Sequence, residues 1–166
     1  MSMHSLFSLE RVSRLLAQEA CFLDAQQWKS WLALYTEDAR FFVPAWVSEH
    51  TLTTDPLTEL SLIHIDSRLG LEERVFRIES RDSFASLPLD RTSHHTSNIL
   101  ITEERERECE VTAAWLVHCV GSRIRTTRAG RYYYTLRDEA GELKIAAKTV
   151  VLIDEEIEGT VDFYHL

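Results

Sequence analysis

Two places in this sequence bring metal-ligating side chains close together. His64-Ile65-Asp66 has the His-x-Asp spacing that sets two side chains on one face of a strand. Some iron enzymes offer one His and one carboxylate in this way and take a second His from elsewhere in the chain. The spacing is also frequent by chance, so a plain polar pair is the expectation. His94-His95, after Arg91, could share a metal only through a backbone distortion, because neighbouring strand residues face opposite sides. One buried, hydrogen-bonded imidazole and one surface imidazole are expected instead. The remaining histidines, His4, His50, His118 and His165, suggest no ligand cluster, so no catalytic, cofactor-binding or metal-binding residue is assigned.

Nucleophilic chemistry has less support. There is no G-x-S-x-G, and Cys109 and Cys119 lack flanking residues that would lower a thiol pKa. His118, beside Cys119, should point the other way on a strand. Cys21, Cys109 and Cys119 are odd in number, widely spaced and set among apolar neighbours, which fits free buried thiols. The five glycines, at 70, 121, 130, 141 and 159, form no phosphate-cradling loop. Arg123, Arg125, Arg128 and Arg131 with Tyr132, Tyr133 and Tyr134 could be taken for a nucleic-acid surface, but they sit in a strongly acidic chain, and salt bridges at a subunit contact suit them better.

These groups must be positioned by elements whose periods are legible. Leu9, Val12, Leu15, Leu16, Ala20 and Leu23 recur at helical spacing behind Ser8, a good N-cap. Asp24 and Gln27 have the polarity of a capping box for a second helix, whose face is Trp28, Trp31, Leu32 and Tyr35. Arg40 to Trp46 is aromatic and β-branched, and Pro44 restricts such a strand to an edge or a bulge, so a short edge strand is expected. Val47 to Glu59 looks like a loop, and Leu60 to Ile65 fits either a strand or a helix. Gly70 punctuates the chain before a third helix carrying Leu71, Val75 and Ile78 on one face. Then the period changes to that of strands over Ser93–Thr102, Glu108–Val120, Arg123–Arg137 and Glu142–Ile153, with turns at Gly121-Ser122 and at Asp138 to Gly141. Cys109, Val111, Ala113, Trp115, Val117 and Cys119 alternate with a second face that is only partly polar, so both faces should be covered. Trp28, Trp31 and Trp115 are expected in the core. Residues 153–166 carry Phe163, Tyr164 and Leu166 among charges, which suits a tail docked on its own sheet or on a neighbour.

Helices first and strands afterwards define an α+β domain with N-terminal helices packed on a curved antiparallel sheet. At 166 residues and 45% apolar content, one domain over 1–166 is expected. Asp and Glu outnumber Lys and Arg by 27 to 18, a net charge of −9, which repels phosphate backbones and argues against nucleic acid. No run approaches the roughly 20 apolar residues of a membrane span, and the first residues lack a basic cluster followed by an apolar stretch, so a soluble cytoplasmic protein without membrane contact is expected.

The order of these segments also resembles a known family. Trp31-Leu32-Ala33-Leu34-Tyr35 with Asp38-Ala39-Arg40-Phe41, Pro44-Ala45-Trp46, Arg74-Val75-Phe76-Arg77-Ile78, Arg91-Thr92-Ser93-His94-His95 with Ser97-Asn98, and Lys148-Thr149-Val150-Val151-Leu152-Ile153-Asp154 together are similar to the small (beta) subunits of aromatic-ring-hydroxylating dioxygenases, nearest the benzoate, toluate and anthranilate group. The resemblance implies a cystatin-like, nuclear-transport-factor-like cone. It also implies a mainly structural chain that self-associates as a trimer within an α3β3 hexamer. The Rieske iron–sulfur cluster and mononuclear iron would then lie in the large (alpha) partner subunit. A Rieske site needs Cys-x-His and Cys-x-x-His, and neither Cys21, Cys109 nor Cys119 is followed by His at those offsets. Similar cones serve as stand-alone isomerases or dehydratases, for which His64, Asp66, His94 and Arg131 would be the candidate site; a small-ligand-binding module is the third alternative.

Overall fold

The computed structural model describes residues 6–80, 88–122 and 125–166. His4 and Arg123 therefore lie outside the described residues. Helix α1 (Leu9–Asp24) begins where Ser8, in extended backbone, accepts the Arg11 N–H with its hydroxyl at 3.2 Å. That bond satisfies one of the free donors every helix start carries. Val12, Leu15, Leu16 and Leu23 bury one stripe of it, while Leu9 is exposed. Cys21 is exposed too, correcting the expectation of three buried thiols: it lies off the apolar stripe despite its apolar neighbours.

Helix α2 (Trp28–Ala33) is shorter than its pattern suggests and lacks the expected capping box. The chain turns through Gln26 at φ 55, and Gln27 caps without a side-chain bond. The Asp24 carboxylate is spent elsewhere, as described below. Trp28 and Trp31 are buried, whereas Tyr35 already belongs to a strand.

That strand, β1 (Tyr35–Pro44), is not the short edge strand expected. It runs ten residues and lies inside the sheet. Proline's missing N–H is tolerated because Pro44 is its last residue, at a register shift after Val43. The expected loop folds partly into a hairpin of β2 (Trp46–Ser48) and β3 (Thr51–Leu52). The ambiguous segment is strand β4 (Ser61–Ile65), antiparallel to β1.

Helix α3 (Arg68–Glu79) buries Leu71, Val75 and Ile78. Gly70 lies within its first turn rather than before it. A methyl there would meet Ile65 Cγ2 at 2.6 Å, so the glycine allows the helix to close down on β4.

The second half is the meander its alternation predicts: β5 (Arg91–Glu104), β6 (Glu108–Val120), β7 (Arg125–Glu139) and β8 (Glu142–Leu152), each antiparallel to the next. Ala140 and Gly141, both at positive φ, make the two-residue turn from β7 to β8, the geometry whose twist matches a hairpin. The sheet order is β4-β1-β8-β7-β6-β5, with β1 parallel to β8. The inward stripe from Cys109 to Cys119 is buried throughout. Helix α1 packs across β5 and β8. The tail ends in a 3-10 turn (Phe163–His165), with Phe163, Tyr164, His165 and Leu166 all buried in the chain's own core. Among the described residues no helix is long and apolar enough to cross a membrane.

Candidate functional site

The concave side of the sheet carries its polar chemistry in two groups. The deeper one is centred on Glu19 of α1, whose carboxylate accepts from Tyr35 Oη at 2.5 Å, Tyr134 Oη at 2.8 Å and Lys148 Nζ at 2.9 Å. The Lys148 ammonium also lies 4.1 Å from the Tyr132 ring centroid, a cation–π contact. Burial alone would raise the Glu19 carboxyl, but the Lys148 charge and the three hydrogen bonds outweigh it and hold the group below its ordinary 4.5. Burial pulls Lys148 the other way, towards the neutral amine, against the attraction of Glu19. Since the carboxylate has three donors and the ammonium has an anion and aromatic faces around it, the ionised pair is the state this geometry favours. Burial first, and then the Glu19 charge, push the Tyr35 and Tyr134 hydroxyls well above 10, so both remain donors.

The second group begins at the end of α1. Asp24 accepts from the His94 backbone N–H at 3.0 Å and from Thr92 Oγ1 at 2.9 Å, and it lies 2.5 Å from His94 Nδ1. Burial would raise this carboxyl too, yet the His94 side-chain and backbone hydrogen bonds bring it below 3.8. Held so, His94 carries its proton on Nδ1, and its Nε2 is buried without a hydrogen-bond partner among the described residues, like Trp115 Nε1.

The expected split of His94-His95 is present: His94 is buried on the concave face, and His95 is exposed beside Ser93 Oγ at 3.0 Å. His64 and Asp66 do meet, Nε2 to Oδ1 at 2.7 Å, as a partly exposed polar pair at the end of edge strand β4, with the His64 ring edge-on to Phe42. Arg131 is exposed on the outer face of β7. The strand alternation puts His64 and Arg131 on the opposite face from His94, so the four residues of the stand-alone-enzyme alternative do not converge. Among the described residues, no group of three or more His, Cys, Asp or Glu is arranged to hold a metal ion. Burial, aided by Glu104 and Glu110, pushes the Cys109 thiol up to about 12, and burial also raises Cys119, so neither is a thiolate nucleophile at neutral pH. His118 points outward to Thr127 Oγ1 at 2.8 Å, away from Cys119.

The sequence reading missed Glu19, Lys148, Tyr35 and Tyr134 as a unit. Glu19 falls in line with Leu15, Leu16 and Leu23 on the buried stripe, and that misplacement of a charge was the available signal. Lys148 likewise takes an inward position in β8.

The outer face of the meander is a different kind of surface. Leu116 and Tyr133 are 40% and 45% exposed, Ala114 and Val120 lie on the same face, and among the described residues no helix covers them.

Helices held on the concave side of a six-stranded sheet define a cystatin-like cone, here one whose concave face is packed with aromatic rings and a buried ion pair. A cystatin-like protein from Nostoc punctiforme shares the fold at TM-score 0.60 and 14% identity, over 92% of this chain and 95% of that one. Residues 18–159 match the family model described as ring hydroxylating beta subunit, and the chain belongs to that family. It is 41% identical to the beta subunit of toluate 1,2-dioxygenase from Pseudomonas putida, over 96% of this chain and 98% of the relative. The crystal structure of the beta subunit of benzoate 1,2-dioxygenase from Burkholderia mallei is similar at TM-score 0.79 and 29% identity, covering 96% and 98% of the two chains.

Proposed function

We propose that this chain is the structural small subunit of a cytoplasmic terminal oxygenase that dihydroxylates an aromatic acid such as benzoate or anthranilate. Catalysis resides in the large (alpha) subunit, which carries the Rieske iron–sulfur cluster and the mononuclear iron. The chain acts as one domain over residues 1–166 and self-associates as a trimer that presents a platform to three large subunits in an α3β3 hexamer. One observation carries this reading: the concave side, where a cone-shaped enzyme would hold its substrate, is packed with the Glu19–Lys148 network, while the apolar, uncovered surface lies outside, at Ala114, Leu116 and Tyr133. Likeness to toluate and benzoate dioxygenase subunits supports the choice of aromatic acids. Of the Arg and Tyr run, Arg128, Tyr132 and Tyr134 are buried within the chain, which corrects their expected place at a subunit contact; Arg125, Arg131 and Tyr133 are exposed on β7 and are of residue types enriched where subunits meet.

Light scattering on the chain alone, and then on the chain co-expressed with a large subunit of a ring-hydroxylating dioxygenase, tests the assembly. A trimer, and a larger complex that turns over benzoate, toluate or anthranilate when supplied with electrons, are the expected results. A strict monomer that binds no large subunit would overturn the reading.

A further inference from the structure

We propose that residues 157–166 form an acid-released latch, which His165 keeps docked on α2 and the concave face only while its imidazole is neutral. The docking is aromatic. Phe163 stacks on Trp31 with centroids 4.6 Å apart and meets Trp28 edge-on at 5.6 Å, and Tyr164 lies 6.1 Å from Trp28. Phe163 and Leu166 are wholly buried. What holds this short turn in place is polar. Asp162 accepts the Phe163 N–H at 2.8 Å, and its own N–H donates to His165 Nδ1 at 3.0 Å, a reciprocal cap closed around the turn. Arg74 of α3 pairs with Asp162 at 3.0 Å, and Arg128 of β7 donates to the Glu158 carbonyl at 2.7 Å.

Both ring nitrogens of His165 are committed. Nδ1 accepts a hydrogen bond, so it carries no proton. Nε2 lies 3.2 Å from Asp90 Oδ2 and must be the protonated nitrogen. A second proton could go only to Nδ1, where it would face the Asp162 N–H and break the cap. The charges around the ring are Asp90, from the segment before β5, Asp162 of the tail itself, and Arg128 from β7; Arg74 reaches it through Asp162. Asp90 and Asp162 favour the imidazolium, but burial, the largest effect, and Arg128 oppose it, and the balance lies below the ordinary 6.5. The sign follows. A histidine kept neutral by folding supports docking fully above 6.5, and that support drains away as pH falls below 6.5 towards the depressed value of the docked state. The latch is a property of this chain whether or not it assembles with a larger subunit.

Hydrogen exchange of the full chain, read by mass spectrometry on peptides from 157–166 and from β6 and corrected for intrinsic rate, tests it. Between pH 8 and pH 5.5, protection of the tail should fall, by at most about tenfold, while β6 keeps its own, as expected for a local opening rather than global unfolding. His165→Gln, which can accept from Asp162 and donate to Asp90 but cannot titrate, should hold the tail at both pH values. Should that variant fail to fold, Asp90→Asn decides: removing the charge that favours the imidazolium lowers the docked value further, so the loss of protection, which still begins below 6.5, should run on to lower pH and end deeper than in the parent. Equal tail protection at the two pH values, the same loss in His165→Gln, or a loss in Asp90→Asn that ends no lower in pH and no deeper than in the parent would each overturn the proposal.

Discussion

Lys148 and Glu19 form an ion pair removed from water, and such a pair is costly to break by halves. Lys148→Met should leave the Glu19 carboxylate buried without its cation and destabilise the chain by about 3–5 kcal/mol in denaturant unfolding. Adding Glu19→Leu removes the stranded charge, so the double variant should recover part of that loss. The pH dependence has a definite sign. Because the folded carboxyl lies below 4.5, its contribution is complete above that value and is lost as pH falls through the lower, folded one. The double variant should therefore lose less stability in acid than the parent. If single and double variants unfold alike, the pair is not what holds α1 on β1, β7 and β8. At this scale the sequence was only partly legible. His94 and His95 divide as strand alternation requires, whereas Glu19 and Lys148 needed a reader to ask why charges occupy apolar positions.

Among the elements, β7 and β8 come close together at Gly130. A Cβ there would lie 1.8 Å from the Val151 carbonyl oxygen, a backbone atom that cannot swing aside. Gly130→Ala should cost about 1–3 kcal/mol or more by overpacking, visible as a lowered Tm with unchanged far-ultraviolet dichroism. A neutral effect would mean the strands can part without loss. The meander was legible because β6 alternates cleanly and turn residues at Gly121-Ser122 and at Asp138 to Gly141 separate the β-rich runs, the latter closing with Gly141 at positive φ. The β1 strand was less so, since Pro44 signals an edge or a bulge equally and only the partner strands decide between them. The start of α2 misled for a related reason: Asp24 is an apt cap by type, but His94 and Thr92 compete for the same carboxylate from far along the chain.

For the whole molecule, one asymmetry carries the proposed function, a concave face closed by side chains and a convex face left open. The purified chain, without its partner, should contain no stoichiometric iron by elemental analysis; iron bound in proportion to protein and lost on replacing His64 or Asp66 would overturn that expectation. Segment order makes the family recognisable in the sequence, while the sealed interior and the docked tail depend on contacts between distant residues that periodicity does not carry. The parallel seam between β1 and β8 bears on how the molecule comes into being. Phe41 and Lys148 are partners about a hundred residues apart, which places this contact among the slow, non-local closures of a folding chain. During synthesis, β1 emerges early and has β4 at hand, but its other edge stays unpaired until β8 leaves the ribosome. Through that interval Phe41 and Val43 lack their final cover, so the nascent chain is most prone to aggregate just before its last strand arrives.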